Sequence, residues 1–261
     1  MPNKVDKPLK NIHVLVTRPE HQADQLCKLI EQSGGTPERF ATIEISSLSL
    51  DVKQIHQLVS QTDIAIFISQ NAVEFGLKPL LESRINMPAK LRFAAVGQAT
   101  ARALNALGIS DVIQAEAPYN SESLLACNEL QNIAEKHIII FKGTGGRELL
   151  IDTLKQRGAS VHSFDCYSRN KPTSDSSEVS QQLKKQAIDF VVCTSNEGLD
   201  NLVDLIDVDN QESLFATKLV VLSERGAGHA KTLGFETIIQ AHEASDRGIQ
   251  QILIQWVESN T

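Results

Sequence analysis

Shifted against itself by about 124–126 residues, the chain matches itself in several blocks that keep their order. His13-Val14-Leu15-Val16-Thr17-Arg18 answers to His137-Ile138-Ile139-Ile140-Phe141-Lys142, and Asp63 to Ser69 (DIAIFIS) answers to Asp189 to Ser195 (DFVVCTS). Arg92 to Gly97 matches Lys218 to Ser223, and Leu107-Gly108 matches Leu233-Gly234. Ordered blocks of this kind mean two copies of one α/β unit. Two similar lobes leave a cleft, and clefts between domains are favoured places for ligands. The repeat therefore indicates where a site belongs before any motif indicates its chemistry.

A chain of 261 residues is long enough for two domains of ordinary size. With 41% hydrophobic and 22% charged residues its composition is that of a soluble globular protein. No apolar run approaches the ~18–20 residues that would span a bilayer. The segment MPNKVDKPLK lacks the apolar centre of a secretory signal, so a cytoplasmic location is expected. The four cysteines (Cys27, Cys127, Cys166, Cys193) are far apart and form no C-x-x-C pair, which favours free thiols over disulfides or zinc. No cluster has metal-ligand spacing. A formal net charge of −7 argues against a nucleic-acid partner. It also makes any local convergence of Arg, Lys and backbone N–H groups more informative.

Along each copy, short β-branched runs alternate with amphipathic stretches at helical spacing, as in Ala23, Leu26, Leu29 and Ile30 after Val14–Val16. Strands are expected at 64–68, 93–96 and 112–113 in the first copy and at 190–193, 219–222 and 238–239 in the second. Each copy closes on a helix, expected over 123–133 and 246–257. Residues 38–48 and 161–171 are extended, of mixed polarity and bounded by Pro37 and Pro172, and read as linker strands rather than core strands. Strands alternating with helices call for a mainly parallel sheet covered on both faces, so the expected fold is two flavodoxin-like, doubly wound α/β lobes. Ligands in such sheets sit beyond the carboxyl ends of the strands.

The loops at those ends are alike in type: Arg18; Ser69-Gln70-Asn71; Gly97-Gln98; Tyr119-Asn120-Ser121; Lys142-Gly143-Thr144-Gly145-Gly146-Arg147; Thr194-Ser195-Asn196; Ser223-Glu224-Arg225. Hydroxyls, amides, glycines and cations with few carboxylates suit an anion held by N–H groups at helix starts. Ser, Thr and Asn at such turns are also ordinary helix caps, and that reading stays open for each of them. The 142–147 loop matches neither phosphate-loop nor dinucleotide fingerprint, and Ser69 and Ser195 sit in no nucleophile elbow. His13 and His137, at matching strand entries, suggest structural roles. Tyr167, one of only two tyrosines, lies beside Arg169 and Lys171. It is either an amphipathic ring packed at a domain seam or a phenol presented as hydrogen-bond or proton donor.

From about Ile12 to Trp256 the chain resembles the uroporphyrinogen-III synthase family. The resemblance rests on the order of VLVTRPEHQADQL, IFISQNAV, AAVGQATARAL, YNSESLL, IIIFKGTGGRELLIDTLKQRGA, DCYSRNKP, CTSNEGLDNL and LSERGAGHAKTLGF. The turn Ser223-Glu224-Arg225 departs from many relatives. The resemblance implies two lobes joined by a two-stranded linker that the chain crosses twice. Residues 1–38 plus 170–261 would form one lobe and 42–165 the other, with linker strands near 39–46 and 164–171. It implies cyclisation of hydroxymethylbilane to uroporphyrinogen III with loss of water and inversion of ring D through a spiro intermediate, without metal or organic cofactor. Arg18, Ser69, Gln70, Asn71, Gly97, Ser121, Lys142, Gly143, Arg147, Arg169, Thr194, Ser195, Asn196 and Ser223 would then bind a substrate of eight carboxylates. Tyr167 matches the family's linker tyrosine, proposed to assist departure of the hydroxyl. A monomer is expected, in transient contact with hydroxymethylbilane synthase. The rival readings are a non-catalytic two-lobed sensor of tetrapyrroles or small anions, and a sugar-phosphate enzyme using the 142–147 loop.

Overall fold

Strands only a few residues long, joined by helices, can lie parallel because each helix carries the chain back to the sheet's starting edge. The computed structural model describes residues 7–84, 87–145 and 148–260. In chain order the strands are β1 (His13–Val16), β2 (Thr36–Arg39), β3 (Glu44–Ser47), β4 (Ile64–Phe67), β5 (Arg92–Ala95), β6 (Val112–Gln114), β7 (His137–Gly143), β8 (Ser160–Asn170), β9 (Phe190–Val192), β10 (Lys218–Val221) and β11 (Ile238–Gln240). They form two sheets, in the orders β11-β10-β9-β1-β2 and β3-β8-β7-β4-β5-β6. The chain divides into two compact units: Met1–Glu44 with Asn170–Thr261 around the first sheet, and Ile45–Arg169 around the second.

In the first unit β1 pairs parallel with both β2 and β9, and β10 with both β9 and β11. In the second, β4 pairs parallel with β5 and β7, β5 with β6, and β7 with β8. The two orders follow one pattern. β7 and β8 stand where β1 and β2 stand, and β4, β5 and β6 stand where β9, β10 and β11 do.

Alternation along the strands sorts side chains to two faces. In the first unit Val14, Val16, Phe190, Val192 and Val220 share a cluster with Ala23, Leu26, Ile30, Ile249 and Leu253 of the helices Glu20–Gln32 and Asp246–Ser259. Leu15, Val191, Leu219 and Val221 face the opposite way, onto Val179, Leu183, Leu199, Leu202 and Leu214. In the second unit Ala65, Phe67, Ile139 and Phe141 pack with Ile55, Leu77, Leu80 and Leu104, while Ile64, Ile66, Ile138 and Ile140 pack with Leu124, Leu130, Leu150 and Leu154. Both sheets are thus covered on two faces, which accounts for strands that are apolar throughout.

Two expectations are refined by the structure. Of the stretches read as linker strands, 38–48 holds the end of β2 and all of β3, and 161–171 holds most of β8, an 11-residue strand that lies between β3 and β7 and pairs with β7 from His137↔Ser160 onward. Their mixed polarity has a simple cause, since Thr36–Arg39 and Ser160–Asp165 are only partly covered. The closing helix of the first copy begins earlier, at Ser121, because Asn120 caps it through the Ser123 N–H at 2.8 Å. It then stops at Ala126, and a 3-10 turn follows at Asn128–Leu130. The freed carbonyls there are met by side chains: Arg157 donates to Leu125 O and Leu130 O, and Gln131 donates to Leu125 O. Beyond β4 the chain is one helical run with a π turn at Val73–Leu77 between Gln70–Ala72 and Lys78–Glu82.

Candidate functional site

β4, β7 and β8 are neighbours in the second sheet, so their carboxyl ends bring Ser69, Gly143 and Tyr167 together. The hydroxyls of Ser69 and Tyr167 lie 2.9 Å apart. Ser69 Oγ also accepts the Ala72 N–H at 3.1 Å and so caps the following helix. A bulge sets the ring's direction. Lys142 pairs with Asp165, but Gly143 pairs with Tyr167, leaving Cys166 as the extra residue. Strict alternation would put Tyr167 on the face of Asp165. The bulge instead turns it to the face of Phe164 and Cys166, where it packs within the core cluster.

Gly143 is required beneath that ring, because a Cβ there would stand 2.7 Å from Tyr167 Cζ. Gly76, in the π turn, allows a similar approach: a Cβ at that position would stand 2.8 Å from a Phe141 ring carbon and 3.3 Å from Cys166 Sγ. Phe75 lies 6.3 Å from the Tyr167 ring, and the Arg169 guanidinium carbon is 6.0 Å from its centroid, within cation–π range. At 3% exposure Tyr167 is a core ring of its unit. Only its oxygen is directed to the strand-end loop, through Ser69. Cys166 beside it is buried, and desolvation pushes its thiol up to about 12.

Two of the cations expected to hold an anion have carboxylate partners within the chain. Lys142 Nζ is 2.8 Å from Asp165 Oδ1 and donates to Gly145 O at 3.2 Å. Arg18 is ion-paired to Asp246, in the first turn of the closing helix. Neither carboxylate drew notice in the sequence. Asp165 could have been found as the residue level with Lys142 once β8 was read as a ladder strand, whereas Asp246 gives no local signal. Arg147 lies outside the described residues.

In the first unit, Ser195 caps Asn196–Leu205 through the Gly198 N–H at 3.0 Å, and Ser223 caps Glu224–Leu233 through the Gly226 N–H at 3.1 Å. Ser245 does the same for Asp246–Ser259. Capping is therefore what Ser69, Ser195 and Ser223 do, but the two in the first unit remain exposed at the strand ends. Thr194 and Asn196 flank Ser195 and are half-buried. Gly97 is the extended residue preceding Gln98–Ala106, and Ser121 follows the cap Asn120. Gln98 donates to the Tyr119 hydroxyl, joining two strand-end loops that sequence reasoning left apart. Gln70 is half-buried and Asn71 is buried, 4% exposed. Among the described residues no group of His, Cys, Asp and Glu is placed to hold a metal ion, and no helix is long and apolar enough to cross a membrane.

Parallel sheets covered on both faces, with capped helices, small polar side chains and a fixed phenol at the strand ends, define a class: α/β proteins whose polar loops gather at the carboxyl ends of their strands, where ligands of such folds sit. Within that class the family is shown by similarity. The family model described as uroporphyrinogen-III synthase HemD matches residues 24–251. The uroporphyrinogen-III synthase of Escherichia coli K12 is 34% identical over 92% of this chain and 99% of its own length, and that of Salmonella typhimurium LT2 is 33% identical over the same shares. The chain belongs to the uroporphyrinogen-III synthase family. Its fold is also that of two solved synthases: one from Thermus thermophilus (TM-score 0.62, 15% identity, 96% of this chain and 100% of that one), and one from Helicobacter pylori 26695 (0.59, 12%, 94% and 99%).

Proposed function

We propose that this chain closes hydroxymethylbilane to uroporphyrinogen III, with Tyr167 as the acid that releases the substrate's hydroxyl. Membership of the family supports the reaction. The bond between Tyr167 and Ser69 at 2.9 Å is the observation that carries the residue assignment, because it holds one phenol oxygen at the ends of β4 and β7. The C–O bond of the hydroxymethyl group breaks with its electron pair on oxygen, and the phenol proton joins that oxygen. Water leaves, and a cationic azafulvene remains. Attack at ring D forms a spiro intermediate, which rearranges so that the ring is inverted before the macrocycle closes. The proton lost from the pyrrole carbon then restores the phenol, a carbon–oxygen lyase reaction overall.

Each unit is read as a flavodoxin-like lobe whose strand-end loops contribute to binding. Backbone N–H groups and hydroxyls at Ser195, Asn196, Ser223, Gly97 and Ser121 would take substrate carboxylates, together with Gln70, Asn71, Thr194, Arg147 and Arg169. Arg18 and Lys142 already have carboxylate partners, so they contribute by holding strand ends in place or by exchanging those partners for the substrate's. The enzyme's main task is conformational, since it holds a flexible chain in the one geometry that inverts ring D. The protein is read as a cytoplasmic monomer that meets hydroxymethylbilane synthase only transiently. The test supplies freshly generated hydroxymethylbilane and resolves the oxidised products by isomer. The type III isomer should dominate, and type I alone at the spontaneous rate would sink the reading in favour of a non-catalytic sensor.

A further inference from the structure

The environment of the Tyr167 oxygen contains more than a phenol. Ser69 has one hydroxyl proton and two lone pairs. One lone pair takes the Ala72 N–H at 3.1 Å, and the Tyr167 oxygen lies 2.9 Å away. Among the described residues these are the contacts of Ser69 Oγ; either hydroxyl can donate across the 2.9 Å contact, and the Tyr167 oxygen is the acceptor within reach of the Ser69 proton. The ring cannot swing away from that proton, since Gly143 lies beneath it and the β7–β8 bulge fixes its backbone.

We infer that Ser69 is a positioning residue that donates its proton to the Tyr167 oxygen and thereby turns the phenol's own proton outward toward the leaving group. This rests on the acid role given to Tyr167 above. When that proton transfers to the departing hydroxyl and water leaves, Tyr167 becomes a phenolate, and the same Ser69 O–H stabilises it. A hydrogen bond to the charged form lowers the pKa of the group that forms it. Had Tyr167 donated to Ser69 instead, the bond would stabilise the neutral phenol and oppose the transfer.

The chain's two tyrosines make the direction measurable. In a Tyr119→Phe parent grown on a fluorinated tyrosine, absorbance against pH reports Tyr167 alone, within the range where the protein stays folded. Ser69→Ala should raise that midpoint by about one pH unit and lower kcat about tenfold with little change in KM. Ser69→Thr, which keeps both cap and proton, should restore the parent values. Ser69→Asp keeps the capping oxygen but has no proton to give, so its midpoint should rise further than that of Ser69→Ala. A midpoint that falls or stays level in Ser69→Ala overturns the inference, as does a parent-like midpoint in Ser69→Asp, which would reduce Ser69 to a cap. Full activity in Tyr167→Phe is a separate outcome: it removes the acid role itself, whatever the Ser69 variants show.

Discussion

Ser69, Gly143 and Tyr167 are contributed by three different strand ends, and each has a structural duty alongside its proposed chemical one. Ser69 caps a helix, Gly143 makes room for a ring, and Tyr167 fills a core. Tyr167→Phe keeps the ring and removes only the oxygen, so stability should change little while the rate falls about 10²-fold, as for loss of a general acid. Single-turnover formation of the type III isomer checks it. Cys166 is the contrasting neighbour. With its thiol pushed up to about 12 by burial, almost none is thiolate at neutral pH, and the thiolate is the reactive form. Desolvation raises all four thiols, but Cys127 alone is partly exposed, so native labelling by a maleimide should be confined to it, with all four cysteines labelled after denaturation. Mass spectrometry of the labelled peptides reads this directly.

At the scale of elements, the apolar alternation of the strands and the spacing of the helices were legible because they are local. Val14, Leu15 and Val16 declare a strand without reference to anything distant. The bulge was not legible, because Asp165-Cys166-Tyr167 reads as ordinary alternation until the partner strand is known. Placed by alternation, the tyrosine would lie on the wrong face. The capping serines were visible as residue types, but Arg18 is paired with a residue 228 positions away, beyond the reach of any local pattern. Because the bulge and Gly143 act together, Gly143→Ala should push the ring off its seat. The expected result is a destabilisation of about 1–3 kcal/mol, typical of overpacking, with an activity loss close to that of Tyr167→Phe. Urea melts and isomer assays on the same sample separate the two effects.

At the scale of the whole molecule the matched sequence blocks make reciprocal contacts. Asp63, preceding β4, accepts the N–H of His137 at the start of β7, at 2.9 Å. Asp189, preceding β9, accepts the N–H of His13 at the start of β1, at 2.8 Å. In both cases a carboxylate from one copy fixes the first strand of the other copy, and the matched His and Asp of the repeat acquire a common explanation. The His137 N–H, then Lys136 and Lys90, hold the Asp63 carboxyl below its usual range despite some desolvation. A lowered folded-state pKa stabilises the fold above the unfolded value of about 4, and the contribution is lost as pH falls through the folded value. Asp63→Asn should therefore cost about 1 kcal/mol at pH 7, with the deficit closing as the medium is acidified below pH 4. Urea midpoints measured across that range check the sign.

The exchange of first strands also sets a timetable for synthesis. Ile45–Arg169 is a continuous segment with two core clusters of its own, so it can fold as soon as it leaves the ribosome. β1 and β2 are made earlier, yet their sheet needs β9, whose first residue follows β2 by about 150 positions. At about 5–20 residues per second, the earliest strands wait roughly 8–30 s for their partners. During that interval an apolar run such as Val14–Val16 is a nascent-chain liability, because it is made well before the strand that seals its sheet.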